Sequence, residues 1–423
     1  MSDEDCQKYN HCENYRCRHD SILPLKLQII IGFISIFVAA GMSNASGLGG
    51  GLLFIPVLLL IMKFYAHEAI PISKMVIFVG AFASFIQNIK VKRPRRNVKA
   101  LNYNLIIVNA SNLLLGTIFG VTLNKILPNT LILFFLCIIL FYYSIKTFKT
   151  FLKFYKAENS GDIFSMNSQM NTISSRYNNA DINQSQEDAI QRELYKDQFL
   201  IRWDKLKFVI IPFFIMAFLS LLRESNMVSK CSLIYWSLIF LFVIIVLIFD
   251  YFVIIHIEKE YDYRRFINFP YDDKDIKWTR NTIVKLSAIG FVAGFVAGTV
   301  GIGGGVILGP ILLDLGIHPI VSSVTTNFLV LITSSSTTFQ FILFKLLNFE
   351  YGFFCITFSA LGSYCGTYLV NNYVKNTGKQ SFIVLVLFMV VIISAVALPL
   401  SSLINIIEDY RNGIDIFEFE SLC

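Results

Sequence analysis

The chain has 423 residues, of which 55% are hydrophobic and only 15% are charged. A soluble domain carries about 25% charged residues, so this composition excludes an ordinary soluble protein. The formal net charge of +7 does not indicate nucleic-acid binding, because Lys and Arg lie mainly in the connections between apolar stretches. The expected surroundings are a lipid bilayer, and no nucleic acid is expected as a partner.

The N-terminal head is polar and contains three of the eight cysteines, Cys6, Cys12 and Cys17. Their spacing relative to His11 and His19 fits no standard zinc pattern, and disulfides in an oxidising lumen are favoured over a metal site. The pairing of the three cysteines stays open. The head lacks the apolar core of a cleavable signal peptide.

A series of apolar stretches follows the head, and many have the length of about 20 residues that a bilayer crossing requires. They are predicted at residues 27–43, 52–63, 70–90, 101–124, 128–150, 206–222, 231–257, 282–300, 305–316, 319–345, 350–374 and 380–403. The fold is predicted to be all-α, because a lipid-exposed backbone must satisfy its own hydrogen bonds. The protein is expected to be a multi-pass integral membrane protein of the plasma membrane or an endomembrane.

The polar segments between the apolar stretches divide the chain into seven regions. These are a polar head with cysteines (1–26), a first transmembrane repeat (27–150), a disordered cytoplasmic loop (151–205), a two-helix linker (206–257), a second cytoplasmic loop (258–281), a second transmembrane repeat (282–403) and a C-terminal tail (404–423). The Asn-, Ser- and Gln-rich composition of the long loop predicts disorder up to about residue 189. The densest basic segment, 90–99, is placed in the cytoplasm by the positive-inside rule.

Two glycine-rich runs, GLGGGLLFIP at 47–56 and GIGGGVILGP at 301–310, mark an internal repeat. Each run opens an apolar arm that is too short to cross the hydrocarbon core of about 30 Å. Counting spans from the cytoplasmic basic segment starts the first repeat outside and the second inside. The chain is therefore predicted to contain two inverted repeats, each with a glycine-broken helix hairpin and three transmembrane helices.

A glycine break in a membrane helix leaves unpaired backbone N–H groups at the start of the following helix. With the positive end of the helix dipole, these groups form an anion site that needs no charged side chain. The alternative is close helix packing, since small residues let membrane helices approach each other. Because the runs are matched, we favour a substrate site that contains Gly47, Gly49, Gly50, Gly51, Gly301, Gly303, Gly304 and Gly305.

The span after the second arm, 319–345, has more hydroxyl and amide groups than a lipid-facing helix carries. Those that do not bond back to their own helix must face protein or a wet cavity. The residues assigned to the substrate site from this span and from its first-repeat equivalent are Ser323, Thr325, Thr326, Asn327, Ser334, Ser335, Ser73 and Lys74. For Lys74, snorkelling to the interface is the alternative to attracting an anion. Asp250, deep in the linker, is a candidate site for a coupling proton, with no partner visible.

The sequence contains neither a paired histidine motif nor a combination of nucleophile and base, so an enzyme is not expected. Neither run leads into Gly-Lys-Ser/Thr, which excludes a soluble phosphate loop. No cofactor and no metal are expected. An alternative to a transporter is a non-transporting membrane scaffold or trafficking protein that retains the fold.

Four stretches, in order and in both repeats, carry a family resemblance. They are SNASGLGGGLLFIPVLL, AIPISKMVIFVGAFASFIQNIKVKRP, GTVGIGGGVILGPILLDLGI and VSSVTTNFLVLITSSSTTFQF. Over 27–150 and 282–403 the chain resembles the TauE/SafE family of sulfite exporters, or anion permeases, and especially its eukaryotic members. The resemblance implies export of sulfite or an organosulfur anion, driven by an ion gradient. Coupling to H⁺ or Na⁺ is a separate hypothesis. It points to the glycine motifs, the Ser73–Lys74 pair and the polar span 322–338.

Overall fold

The computed structural model describes residues 10–13, 16–19, 22, 26–64, 66–93, 98–124, 126–159, 184–198, 202–224, 228–229, 232–271 and 275–411. A short antiparallel hairpin, β1 (Asn10–Glu13) and β2 (Arg16–His19), precedes the helices. Its register places Cys12 opposite Cys17, whereas Cys6 lies outside the described residues.

The remaining regular elements of the described chain are helices. They are α1 (Leu27–Ala45), α2 (Gly51–Pro56, continued by a π-helical turn Val57–Ile61), α3 (Ala66–Asn88), α4 (Tyr103–Asn124), α5 (Asn129–Asn159), α6 (Gln184–Gln198), α7 (Trp203–Arg223), α8 (Leu233–Phe266), α9 (Arg280–Val300), α10 (Gly305–Asp314), α11 (Pro319–Leu343), α12 (Phe349–Thr377) and α13 (Ser381–Arg411).

Eight helices of the described part have the length and hydropathy of a bilayer crossing. They span Leu27–Ala45, Glu68–Asn88, Tyr103–Asn124, Trp203–Arg223, Leu233–Phe266, Arg280–Val300, Pro319–Leu343 and Phe349–Thr377. The arms Gly51–Ile61 and Gly305–Asp314 are apolar but shorter. The prediction of an all-α, multi-pass integral membrane protein is confirmed.

The helices of the two halves contact one another in a reciprocal pattern. Helix α1 packs along α12, and its counterpart α9 packs along α4. The short arms also contact the opposite half: α2 contacts α13, and α10 contacts α5. Helix α3 meets α11, and α5 meets α13. This reciprocity is what two related halves around a pseudo-two-fold axis produce, and the inverted orientation of the halves stays a prediction.

Glycines allow close packing in the two most extensive of these helix pairs, α4–α9 and α1–α12. At α4–α9, a Cβ atom on Gly298 would lie 2.8 Å from the carbonyl oxygen of Thr117, so the backbones touch. At α1–α12, a Cβ on Gly41 would lie 3.0 Å from the carbonyl oxygen of Gly362. Small residues of this kind let membrane helices approach closely.

Three predicted boundaries in the polar regions differ from the structure. Helix α5 continues to Asn159, and α8 continues to Phe266, beyond the loop start expected at 258. The disorder expected up to residue 189 meets a helix, α6, from Gln184 onwards, while residues 160–183 lie outside the described part. Two long-range contacts hold helix α6: Ile190 packs with Ile267 and Phe269, and Asp197 pairs with Arg264.

Candidate anion site at the glycine breaks

The first glycine break comprises residues 46–50, between α1 and α2. Gly47, Gly49 and Gly50 have φ angles of 83°, 81° and 89°. Only glycine adopts this left-handed conformation without strain, so the sequence of the break is dictated by its backbone. The second break comprises residues 301–304, between α9 and α10, and begins with Gly301 at φ 82°.

The two breaks lie against each other in the interior. A Cβ atom added to Gly51 would lie 2.9 Å from the Cα of Ile302 and 3.1 Å from the amide nitrogen of Gly303. A Cβ on Gly303 would lie 2.7 Å from the carbonyl oxygen of Leu48, and one on Gly305 would collide with the carbonyl oxygen of Gly47. The main chains of the breaks are therefore in contact, and an anion can lie between them only after they separate.

The breaks contain backbone donors without acceptors. Within the described residues, no acceptor receives a hydrogen bond from the amide N–H groups of Gly49, Gly50, Gly51, Gly303, Gly304 and Gly305. All six residues are buried. The first N–H groups of a helix have no partner within that helix, so the cluster of donors is a candidate site for an external acceptor.

Lys74 and Ser73 reach the second break from α3. The Lys74 ammonium donates a hydrogen bond of 2.6 Å from Nζ to the carbonyl oxygen of Ile302, and the residue is 0% exposed. Ser73 Oγ donates to the carbonyl oxygen of Ile70 at 2.7 Å and approaches that of Gly301 at 3.4 Å. The snorkelling alternative is wrong for Lys74, because its amine points into the protein.

The Lys74 amine has no acidic partner among the described residues. A buried charge is normally paired, because removing an ion from water is expensive. A single carbonyl oxygen satisfies one of its three donor positions. The site therefore has both the charge and the free donors that a small anion would require.

The hydroxyl groups of α11 are largely engaged within the protein. Thr326, Ser334 and Ser335 donate back to carbonyl oxygens of their own helix at 2.8, 2.6 and 2.8 Å. Ser323 Oγ donates to the carbonyl oxygen of Ala45 at 2.9 Å, beside the first break, and Thr325 Oγ1 accepts from the backbone N–H of Asn102 at 3.2 Å. In this closed arrangement these hydroxyls form hydrogen bonds within α11 or to neighbouring segments of the protein.

Asn327 differs from its neighbours on α11. The side chain is fully buried, and neither Oδ1 nor Nδ2 has a hydrogen-bond partner in the described structure. Asn44 at the end of α1 also has a buried, unpaired Oδ1, while its Nδ2 donates to Ser363 Oγ at 2.8 Å. Sequence reasoning missed Asn44, although an amide directly before a glycine run in an apolar span was a usable signal.

Asp250 of α8 has a partner that the sequence did not reveal. Both of its carboxylate oxygens accept from Asn112 Nδ2 of α4, at 2.9 and 3.1 Å. No described cation forms an ion pair with it. The next residue of α4, Leu113, lies against the second break, since a Cβ on Gly304 would be 3.3 Å from Leu113 Cδ2. Helix α4 thus connects the carboxyl group to the candidate site.

The described part of the chain is thus a multi-pass helical protein with a buried lysine at the contact between two glycine breaks. The chain is a member of the Sulfite exporter TauE/SafE family, whose sequence model matches residues 32–178 and 192–396. It is thus a transporter of the anion-permease class and not an enzyme.

Relatives in Arabidopsis thaliana carry the same family name. Sulfite exporter TauE/SafE family protein 5 is 28% identical over 402 residues, which cover 93% of this chain and 87% of the relative. Family protein 3 is 26% identical over 411 residues, which cover 94% and 83%. No solved structure matches the chain.

Proposed function

We propose that the protein is a secondary transporter that moves a small oxyanion, such as sulfite or an organosulfonate, through the contact between the two glycine breaks. The observation that carries the proposal is the buried ammonium of Lys74, which reaches the second break and pairs with no acidic side chain of the described residues. The names of the Arabidopsis relatives point to sulfite among the oxyanions.

The anion would be held by charge and by backbone donors together. An oxyanion between the breaks replaces the Ile302 carbonyl as the partner of Lys74 and accepts from the free amides of the glycines. Charge-assisted hydrogen bonds of this kind are short and strong. Because the other donors are neutral, the anion can also leave, which a transporter requires.

Transport would proceed by alternating access between the two repeats. The main chains of the breaks touch, so the described conformation is closed around the site. Each break belongs to a different repeat, and rocking of one repeat against the other separates them. The site is then exposed to one side of the membrane at a time.

A coupling ion, H⁺ or Na⁺, would drive the transport, and Asp250 is the group that we assign to a proton. It is the only charged side chain between Leu233 and Ile255, and its sole described side-chain partner is the amide of Asn112. A single neutral donor compensates a carboxylate poorly in a low-dielectric environment, which favours binding of a proton. Helix α4 would transmit the change to the second break through Leu113.

Anion flux in proteoliposomes tests this function. We expect the purified protein to move sulfite, with sulfonates, sulfate and chloride as the competing panel, and Gly304→Val to abolish the flux. The control is Gly309→Ala in α10, where a Cβ meets only ordinary contacts of 3.7 and 3.9 Å. Absence of flux for every anion in the wild-type protein would favour the scaffold or trafficking alternative.

A further inference from the structure

A second polar site lies at the end of the helix bundle that carries the basic segment 90–93. A cavity of about 790 Å³ opens there between the end of α3, the start of α11 and the junction of α12 with α13. Its described lining consists of Gln87, Lys90, Val91, Lys92, Arg93, Ile320, Tyr368, Asn371, Asn372, Val374, Lys375, Gly378 and Gln380. None of these lining residues is acidic.

Two of the basic residues in this cavity are available to an external anion. Arg93 is engaged by Asp275, with 2.8 Å between Nη1 and Oδ1. Lys90 and Lys375, in contrast, form no ion pair with any described residue, and both are exposed. They come from different repeats and meet at one cavity, which gives it a positive charge that no described carboxylate pairs with at these two residues.

The helix dipoles do not determine whether the cavity prefers an anion or a cation. Helices α3 and α12 end at it, and α11 and α13 begin beside it. Two negative and two positive helix ends largely offset each other, since the macrodipole acts over the first and last turn. The lysines therefore determine the preference for an anion. The side-chain amides of Gln87 and Asn371 donate to the Tyr364 carbonyl oxygen and to Asn88 Oδ1, and each keeps one further N–H.

The cavity also has an apolar side. Val91, Ile320 and Val374 contribute to its wall, and Tyr368 is 58% exposed on the outer surface of α12. Its volume lies in the range of about 300–1,000 Å³ typical of sites for drug-sized ligands, well above that of a small inorganic ion. Basic pockets between transmembrane helices on the cytoplasmic side suit lipid headgroups, because that leaflet is anionic.

We propose that this cavity binds the phosphate-bearing headgroup of an anionic lipid from the cytoplasmic leaflet. Lys90 and Lys375 pair with the phosphate, the amides donate to its remaining oxygens, and the apolar wall receives the glycerol end of the lipid. The site is separate from the glycine breaks. Its lining contains no residue of either break. Along α3, Phe85 lies between Lys74 and the cavity residue Gln87, and its ring centroid is 4.9 Å from that of Phe328.

The test uses the full-length protein in detergent and a fluorescent short-chain phosphatidylinositol phosphate as the probe. In the variant with Lys90→Gln and Lys375→Gln, we expect the affinity to fall about 30-fold, which corresponds to about 2 kcal/mol for two basic residues. The control carries Lys259→Gln and Lys277→Gln, which remove the same charge from exposed positions outside the cavity lining. We expect it to bind as the wild type does.

The outcomes separate the lipid from other sources of phosphate. An unchanged affinity in the cavity variant, or an equal loss in the control variant, would overturn the proposal. A soluble inositol phosphate that binds while the lipid does not would overturn the membrane source. Size-exclusion profiles and melting temperatures of both variants establish that they are folded. Lipid binding is read independently of anion flux, so the proposal does not depend on the transported substrate.

Discussion

Lys74 of the first repeat donates a 2.6 Å hydrogen bond to the carbonyl oxygen of Ile302, in the glycine break of the second repeat. The bond connects residues 228 positions apart and lies in the interior. It joins the only described ammonium group at the crossing to the backbone that the anion would contact. In the proposed mechanism, closure of the two repeats and binding of the substrate would compete for the same donor.

The first prediction concerns the energetic role of Lys74. We expect Lys74→Met to abolish sulfite transport and, without ligand, to leave the protein as stable as the wild type or stabilise it by about 1–4 kcal/mol, because a buried unpaired charge is replaced by an apolar chain. Thermal unfolding in detergent measures this, with and without sulfite. A strong loss of stability in the ligand-free variant would mean that Lys74 serves the fold.

The second prediction concerns the contact between the breaks. Gly303→Ala places a Cβ 2.7 Å from the carbonyl oxygen of Leu48, so the main chains must move apart. Overpacking of this kind costs about 1–3 kcal/mol, and we expect a lower melting temperature together with a loss of transport. Gly309→Ala is the matched control, and melting curves of the two variants provide the comparison. Identical curves would show that the breaks do not touch.

The third prediction concerns coupling through Asp250. We expect Asp250→Asn to abolish sulfite transport driven by a pH gradient while sulfite–sulfite exchange across the liposome membrane continues. The amide is nearly isosteric and keeps the contact with Asn112, so the fold is preserved. Flux is measured with and without the gradient. If pH-driven transport persists in the variant, Asp250 does not carry the coupling proton.

The fourth prediction concerns the anchoring of α6. The Arg264 guanidinium contacts Glu193 at 3.1 Å and Asp197 at 2.9 Å in α6, and Glu260 at 3.1 Å in its own helix. Removing one partner of a buried ion pair costs about 3–5 kcal/mol, so we expect Arg264→Gln to release α6. Limited proteolysis around residues 184–198 measures the release.

The neighbouring ion pair supplies the control for this prediction. Lys196 also contacts Glu193, at 2.6 Å, but its side chain is 55% exposed. Exposed pairs contribute about 0–1 kcal/mol, so Lys196→Gln should leave the cleavage pattern unchanged. Equal cleavage of both variants would contradict the anchoring role of Arg264.

The sequence was sufficient for the class of fold and for the location of the breaks. Apolar stretches of crossing length and two matched glycine runs are local features, and α2 and α10 begin at Gly51 and Gly305 within those runs. The ends of the helices were harder to predict. Helix α6 was expected to be disordered because its composition is polar, whereas its order depends on Arg264, which lies 67 positions from Asp197.

The partners within the candidate site could not be predicted from the sequence either, because they are also far apart along the chain. Lys74 looked interfacial because its depth was judged from α3 alone, without the second break that passes beside it. Asp250 had no visible partner, since Asn112 lies 138 positions away. The substrate role of the hydroxyls of α11 stays a prediction. Most of them donate to carbonyl oxygens. A hydroxyl group in a membrane helix can bind either a ligand or a backbone carbonyl, and composition does not show which.

Sulfite efflux from proteoliposomes loaded with labelled sulfite, compared between the wild type and Lys74→Gln, tests the central claim most directly. The account predicts rapid efflux through the wild-type protein and through Gly309→Ala, and efflux at the rate of protein-free liposomes for the glutamine variant. Wild-type efflux from a folded Lys74→Gln protein would contradict the claim that the buried amine at the crossing of the two breaks binds the transported anion.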